Sequence, residues 1–325
     1  MTDRYFVGID LGGTKTRAIV VGPRLNVLGD ARIPTPATRG PQAVVDAIAD
    51  AVNSALADAG VDIGSVACAG VSAPGPIDTQ EGVVTDPPNL AGWHNVPLAA
   101  LLRDKLGIPV FLENDANCGA VGEHAFGAGR GYRHMIYITI STGIGGGIII
   151  DSELYAGASG AAGEIGHIIV AMDGPRCGAD HVGCLEAYSS GTAIARRAAE
   201  LIEAGGLART ARLAERTPPL STEEVHQAAL EGEQEAAAII ETAGRYFGIG
   251  LATLINAFNP EAIVIGGGLT HLGESYLGPA IEMARARSFA QSWEDVRIVE
   301  WELGERGTAL GALIIARKRD EKGMA

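Results

Sequence analysis

The chain has 325 residues, of which 47% are hydrophobic and 20% charged, and its formal net charge at pH 7 is −14. This length and hydrophobic content can bury a large core and favour two domains over one. The acidic balance argues against a nucleic-acid surface, because phosphate backbones are bound by clustered Lys and Arg. It does not exclude a nucleotide substrate, which backbone N–H groups and Mg²⁺ can hold.

No stretch of the sequence approaches the about 20 uncharged apolar residues that a membrane-spanning helix needs. The first residues also lack the apolar core and the cleavage site of a signal peptide. We therefore expect no membrane segment and a cytoplasmic location. The four cysteines are too few and too unevenly spaced for a disulfide framework. Only Cys177 and Cys184 are close enough in sequence to suggest a metal site.

The first part of the chain alternates predicted strands and helices. The strands are short runs of β-branched and apolar residues, and the first helix carries Val44, Ile48 and Val52 at helical spacing. Strands are predicted over 4–9, 16–21, 25–32, 66–72 and 110–113, and helices over 41–59, over 97–106 and from 116. This alternation indicates an α/β domain over residues 1–117.

A second α/β domain is predicted over residues 118–305, and we expect it to carry a subunit contact. Its predicted strands are 134–139, 147–150 and 262–265, and its predicted helices are 192–204, 222–230 and 233–258. A final helix over 308–318 is predicted to pack back on the first domain, which would then include about 306–325.

Three glycine-rich segments follow predicted strands. The first, 10–15 (DLGGTK), precedes another strand rather than a helix, which excludes a Walker A loop. A glycine pair in such a turn lets the backbone approach phosphates, Thr14 and Lys15 can donate to them, and Asp10 can hold Mg²⁺. The alternative is an ordinary hairpin with glycines at positive φ.

The second segment, 141–147 (STGIGGG), repeats this pattern between two strands of the second domain. The third, 266–268 (GGG), ends a strand, where α/β domains place ligands, and its bare backbone can accommodate an adenine ring. The nucleotide-binding residues predicted from all three segments are Asp10, Gly12, Gly13, Thr14, Lys15, Thr142, Gly143, Gly145, Gly266, Gly267 and Gly268.

The segment 113–117 (ENDAN) lies between a predicted strand and a predicted helix. A kinase that phosphorylates a hydroxyl group needs a carboxylate within hydrogen-bond reach of that hydroxyl. Asp115 is placed for this role and is the predicted catalytic base. The alternative is that Asp115 only caps the following helix.

A further cluster combines His167 with Cys177, His181 and Cys184. Two cysteines and one or two histidines in a short span can bind Zn²⁺ tetrahedrally. His167 can give one ring nitrogen to the metal and the other to a substrate hydroxyl. The alternative is two small buried cysteines and a solvated loop histidine.

Together these motifs resemble the ROK family (repressor, open reading frame, kinase), within the actin and hexokinase-like superfamily, over nearly the whole chain. The segments that carry the resemblance are 10–15 and 141–147 for phosphate, 72–78 (SAPGPID) and 89–93 (NLAGW) for sugar, 113–117 for catalysis, and Glu164, His167 and 184–186 (CLE) for sugar and zinc.

The resemblance implies an α/β fold of the two-domain actin-like (ribonuclease H-like) type, with a sugar and ATP cleft between the domains. It implies an ATP- and Mg²⁺-dependent sugar kinase that forms a homodimer, with a tetramer left open. The sugar-binding residues it implies are Gly75, Asn89, Asn114, Asp115, Glu164, His167 and Glu186.

The sequence departs from the family at the zinc loop, which usually carries Cys-x-Cys before its last cysteine. Here Ala179 stands where the second thiolate is expected. Either His181 supplies the missing ligand, or the loop is held without a metal. Asp180 is a third possible ligand, less usual for structural zinc.

The resemblance is strongest to the glucokinase branch, so glucose is the first expected substrate. Mannose, fructose, N-acetylglucosamine and N-acetylmannosamine stay open, because one pocket contact can decide between them. A sugar-sensing repressor needs a helix-turn-helix ahead of the fold, and we expect none because the first strand begins at about Arg4. A sugar-binding protein without catalysis would lack Asp115 or the phosphate glycines, and all of them are present.

Overall fold

The computed structural model describes residues 4–87, 90–205 and 220–323 of the chain. Two compact units are present. Unit 1 comprises residues 1–131, 147–162 and 302–325, and unit 2 comprises residues 132–146 and 163–301.

Unit 1 is built on a five-stranded sheet with the order β3–β2–β1–β4–β7. Its strands are β1 (Tyr5–Leu11), β2 (Lys15–Val21), β3 (Val27–Pro34), β4 (Val66–Ala73) and β7 (Val110–Asn114), and the short pair β5 (Ile77–Asp78) and β6 (Val83–Val84) follows β4. The pairs β1/β2 and β2/β3 are antiparallel, whereas β1, β4 and β7 run parallel. The carboxyl ends of three parallel strands therefore meet at one edge.

Helices cover the sheet of unit 1 on both faces. They are α1 (Pro41–Ala59), α2 (Leu98–Leu106), α3 (Asp115–Phe126) and α10 (Gly307–Glu321). Val7 and Ile9 of β1 pack in a core with residues of α1 and α2, whereas Phe6 packs with Leu313 of α10. This alternation along one strand produces a three-layer α/β/α unit.

Small residues allow α10 to approach the rest of unit 1 closely. A Cβ at Gly8 of β1 would overlap the carbonyl oxygen of Ala309, and one at Gly311 would overlap that of Cys118 in α3. Such contacts leave no room for a methyl group, because protein interiors are close-packed. They hold α10 against β1 on one side and against α3 on the other.

The second half of the chain contributes a second five-stranded sheet, with the order β10–β9–β8–β11–β12. Its strands are β8 (Met135–Ile140), β9 (Ile144–Ile150), β10 (Glu153–Leu154), β11 (Ala262–Gly266) and β12 (Arg297–Glu300). Strand β11 runs parallel to both β8 and β12. The helices of unit 2 are α4 (Leu185–Ser189), α5 (Gly191–Glu203), α6 (Thr222–Leu230), α7 (Gln234–Phe258), α8 (Glu274–Arg287) and α9 (Ala290–Asp295).

Helix α7 is the central helix of unit 2 and packs against α4, α5, α6 and α8. In the described part of the chain it is the one helix with the length and apolar composition of a membrane span. Of its most apolar 18-residue stretch, 61% is buried inside the protein. Phe247 and Leu251, for example, are almost inaccessible to solvent. This burial is typical of a core helix of a globular unit.

The fold class predicted from the resemblance is confirmed by this two-unit α/β architecture together with the structural neighbours described below. The predicted domain limits differ from the units in two respects, one of which is that residues 147–162, predicted in the second domain, belong to unit 1. The predicted boundary after Asn117 falls inside α3, whereas the division in the structure comes after Gly131. Helix α3 belongs with unit 1 because it packs along α10, where Gly122 faces Gly307.

Candidate active site and metal loop

Polar side chains line the carboxyl edge of the unit 1 sheet. In the parallel pairing, Asp10 of β1 lies beside Ser72 of β4, and Ser72 lies beside Glu113 of β7. The Ser72 hydroxyl donates to Asp10 Oδ1 at 3.2 Å. Asn114 ends β7 and Asp115 begins α3. The strand order therefore brings the first glycine turn and the predicted catalytic segment to one edge, where α/β sheets place their ligands.

Asp115 occupies the first position of α3, and the cap of that helix is Asn114. The Asn114 side chain accepts hydrogen bonds from Ala116 N at 2.9 Å and Asn117 N at 3.3 Å. Asp115 Oδ1 also accepts from Ala116 N, at 2.8 Å. The predicted alternative role for Asp115, helix capping, thus belongs chiefly to its neighbour.

Burial and neighbouring charges raise the pKa of two groups at this edge. Burial raises the pKa of Asp10 to about 6, the hydroxyls of Thr308 and Ser72 oppose this rise, and the Asp115 charge adds to it. Burial also raises the pKa of the Cys118 thiol, and the charges of Glu113, Asp115 and Asp10 contribute. Asp10 is partly buried and Asp115 is exposed, and a perturbed carboxyl group near a second carboxylate is a setting for a divalent cation or for proton transfer.

The first glycine turn is a tight hairpin between β1 and β2. Gly12 N donates to Lys15 O at 3.0 Å, whereas Thr14 and Lys15 are exposed at the tip. Both interpretations of this segment, hairpin and phosphate turn, therefore stay compatible with its geometry.

Gly75, predicted to contact sugar, lies beside Asn114, since a Cβ at Gly75 would be 3.3 Å from Asn114 Nδ2. Asn89 lies outside the described residues.

The second glycine turn connects β8 to β9 in unit 2 and contacts Glu186 of α4. Ile144 N donates to Glu186 Oε2 at 3.1 Å, and a Cβ at Gly143 would lie 2.5 Å from the same oxygen. A side chain at position 143 would therefore displace the Glu186 carboxylate. This contact joins a predicted sugar-binding residue to the predicted phosphate turn.

A cavity of about 520 Å³ lies beside the second and third glycine segments of unit 2. Ser141, Thr142 and Gly268 form part of its wall. Gly266 pairs with Thr139 at the end of β8, and Gly267 lies against the Ile140 carbonyl. Gly145 lies farther along, within β9. The cavity has the size of a small-molecule site.

The two ring nitrogens of His167 lie near different neighbours. Nδ1 is 3.6 Å from Cys177 Sγ, whereas Nε2 is 4.0 Å from a carboxylate oxygen of Glu164. One nitrogen thus faces the cysteine cluster, and the other faces a residue that the resemblance assigns to the sugar.

The four side chains predicted to bind metal converge. The ligand atoms of His167, Cys177, His181 and Cys184 all lie within 4.8 Å of one another. Two thiols and two imidazoles at such spacing suit tetrahedral Zn²⁺. Burial, with the neighbouring Cys177, raises the pKa of Cys184 to about 11, so a metal must displace this proton.

The loop that carries Cys177 and His181 brings these two side chains to the same cluster. Cys177 N donates to His181 O at 2.9 Å, so the two residues lie across a tight turn, and Asp180 has a φ of 63°. The Asp180 carboxylate pairs with Arg176 at 3.2 Å and is not a member of the cluster. The residues present therefore fit the metal with His181 at the position left by Ala179.

Sequence reasoning missed two groups of residues. The first forms the rest of the cavity wall and includes Thr192, Ala195, Thr222 and Glu223. These residues lie at the starts of α5 and α6 and share no local motif with the glycine segments. The second is a buried network around Glu113 that includes Arg319, which is separated from Glu113 by 206 positions.

Known proteins resemble this chain over almost its full length. A family model described as "ROK family" matches residues 6–319. The glucokinase of Streptomyces coelicolor is 38% identical over 318 residues, which cover 97% of this chain and 98% of that protein. The ROK hexokinase of Thermus thermophilus superposes with a TM-score of 0.84 at 35% identity, covering 98% of this chain and 100% of that one.

The ROK family glucokinase of Streptomyces griseus, solved in complex with glucose and AMPPNP, superposes with a TM-score of 0.77 at 35% identity. The superposition covers 97% of this chain and 99% of the Streptomyces griseus chain. Since the family match spans nearly every residue and agrees with the fold, the chain belongs to the ROK family.

Proposed function

We propose that this protein is an ATP-dependent hexose kinase whose main substrate is glucose, converted to glucose 6-phosphate. Glucokinases are 34–38% identical to it over nearly the whole chain, and a glucokinase with bound glucose and AMPPNP is among its structural neighbours. The observation that carries the proposal is the position of Asp115, next to Asn114 at the carboxyl edge of the unit 1 sheet.

Asp115 acts as the general base. Its carboxylate takes the proton of the sugar hydroxyl as that oxygen attacks the γ-phosphorus of ATP, and ADP leaves. Removing the proton during attack avoids a positively charged oxygen in the product. The position of Asp115 at the start of α3 supports this role, since the helix backbone holds one carboxylate oxygen through Ala116 N.

ATP is bound by the glycine segments. The cavity beside Thr142 and Gly268 takes the nucleoside, and the backbone N–H groups of both glycine turns donate to the phosphates. Mg²⁺ would supply charge neutralisation of the phosphates when bound. Asp10 is the residue proposed to hold it, and its buried carboxyl group beside Ser72 suits this role.

The sugar hydroxyls are bound by carboxylates, amides and one imidazole. Such groups each hold two vicinal hydroxyls, so a hexose epimer leaves one of them unpaired. The proposed residues are Gly75, Asn89, Asn114, Glu164, His167 and Glu186.

Zn²⁺ is proposed as a structural ion held by His167, Cys177, His181 and Cys184, whose convergence supports it. The metal would fix the His167 ring so that Nε2 faces the sugar. A homodimer is also proposed, from the family resemblance.

The proposed reaction is tested by a coupled ADP-release assay with ATP and Mg²⁺ against glucose, mannose, fructose, N-acetylglucosamine and N-acetylmannosamine. We expect the highest kcat/KM with glucose. Turnover only with an acetamido sugar would show that such a sugar, rather than glucose, is the substrate, and the mechanism would stand. No turnover with any sugar, while glucose binding persists in calorimetry, would contradict a kinase and favour a sugar sensor.

A further inference from the structure

The last turn of α10 contacts the segment that carries the proposed base. Arg319 Nη2 donates to Glu113 Oε2 at 2.8 Å. Arg319 Nη1 donates to the carbonyl oxygens of Leu112 at 3.1 Å and Thr79 at 3.3 Å. One guanidinium group therefore joins the end of β7, the Glu113 side chain and the turn after β5. The planar, multi-donor guanidinium group suits three acceptors in fixed positions.

Glu113 passes this restraint to both sides of Asp115. Its second oxygen, Oε1, accepts from Asn114 N and from Asn117 Nδ2, each at 3.1 Å. Asn114 and Asn117 flank Asp115 in the sequence, and Asn114 caps the helix that Asp115 begins. The hydrogen bonds of Glu113 thus fix the backbone before Asp115 and the first helical turn after it.

Burial makes this arrangement depend on Arg319. The Glu113 side chain is 5% exposed and that of Arg319 is 20% exposed. A buried carboxylate without its cation keeps an uncompensated charge, so it moves toward solvent or takes up a proton. Either response changes the acceptor that Asn114 and Asn117 contact.

We propose that Arg319 is a positioning residue for phosphoryl transfer: it holds the Glu113 carboxylate, which in turn holds the segment that carries Asp115. The inference rests on the proposed function, in which Asp115 is the base. Arg319 contacts Thr79, Leu112 and Glu113, and its contact with the Glu113 side chain is the one that leads to the residues flanking Asp115.

The test compares Arg319→Met with Arg317→Met. Arg317 lies on the same helix, pairs with Glu321 and stacks over Phe6, so its loss removes the same charge without touching Glu113. We expect kcat to fall about 10- to 100-fold in Arg319→Met, the range expected when a reacting group is misplaced. The KM for ATP should stay unchanged, and the control should stay within twofold of the wild type.

A double-mutant cycle separates positioning from general stabilisation. Glu113→Gln keeps the shape of the side chain but removes its charge. This variant therefore tests the contact even if Arg319→Met fails to fold. If Arg319 acts through Glu113, the second substitution should add no further loss. The kcat of the double variant should then be no lower than that of the less active single variant. Losses that multiply, or an Arg319→Met kcat equal to that of the control, would overturn the inference.

A second readout does not need activity. Hydrogen exchange of the amides of residues 114–117 should accelerate in Arg319→Met, whereas exchange in α1 should match the Arg317→Met control. Unchanged exchange at 114–117 would refute the positioning role. If the wild type shows no kinase turnover, the proposed function fails, and this exchange comparison still decides whether Arg319 restrains the segment.

Discussion

The raised pKa of Asp10 predicts a specific pH dependence of stability. Burial raises this pKa from 3.8 to about 6, so the folded protein binds the proton more tightly than the unfolded chain. Ionisation of Asp10 therefore costs folding free energy, and the cost is complete above the folded pKa. It disappears as the pH falls below 3.8, where both states are protonated.

The perturbation is Asp10→Asn, which keeps an oxygen to accept from the Ser72 hydroxyl. The difference between 3.8 and about 6 corresponds to up to about 3 kcal/mol at high pH. Between pH 5 and pH 8, linkage predicts that the variant gains about 1.4 kcal/mol of unfolding free energy relative to the wild type. Its stabilisation should therefore increase as the pH is raised.

The assay is urea unfolding in the presence of a chelator, followed by the fluorescence of Trp93, which is 1% exposed in unit 1. Trp293→Phe and Trp301→Phe, made in both proteins, remove the two other tryptophans, which belong to unit 2. A difference that is the same at pH 5 and pH 8 would refute the reasoning. Adding Mg²⁺ should then stabilise the wild type but not Asp10→Asn, if Asp10 holds the ion.

Two further predictions concern metal content and packing. His181→Ser should lower the zinc content, measured by plasma mass spectrometry, from about one ion per chain. A second change in the same protein, Ala179→Cys, should restore the zinc by supplying the thiolate usual in the family. Full zinc content in His181→Ser would contradict the proposed ligand set. Gly311→Ala should destabilise unit 1 by about 1–3 kcal/mol, because its Cβ would overlap the Cys118 carbonyl. Gly64→Ala has open space around its Cβ and is the control; a Gly311 variant as stable as this control would contradict the close approach of α10 and α3.

Local patterns predicted the elements that have clear sequence limits. Helix α1 begins at Pro41 and ends before Gly60, whose φ of 65° terminates it, so both limits were visible in the sequence. Helix α8 was not predicted, because Pro279 lies inside it and interrupts the helical pattern. Strand β12 also escaped prediction, since only two of its four residues, Ile298 and Val299, are apolar.

The same distinction applies to the candidate site. Asp115 was predicted because its motif joins a strand to a helix within five residues. The contact of Glu186 with Ile144 N, and that of Arg319 with Glu113, join residues far apart in the chain. Such contacts depend on tertiary packing, and no spacing rule within a single sequence can predict them.

The role of Asp115 as the base is tested most directly by comparing Asp115→Asn with Asp104→Asn. Asp104 is an exposed aspartate of α2 in the same unit. With saturating glucose and ATP, we predict that kcat falls about 10²- to 10⁴-fold in Asp115→Asn, while glucose still binds in calorimetry and Asp104→Asn keeps the wild-type rate. An Asp115→Asn enzyme that turns over within a few fold of the wild type would contradict this mechanism.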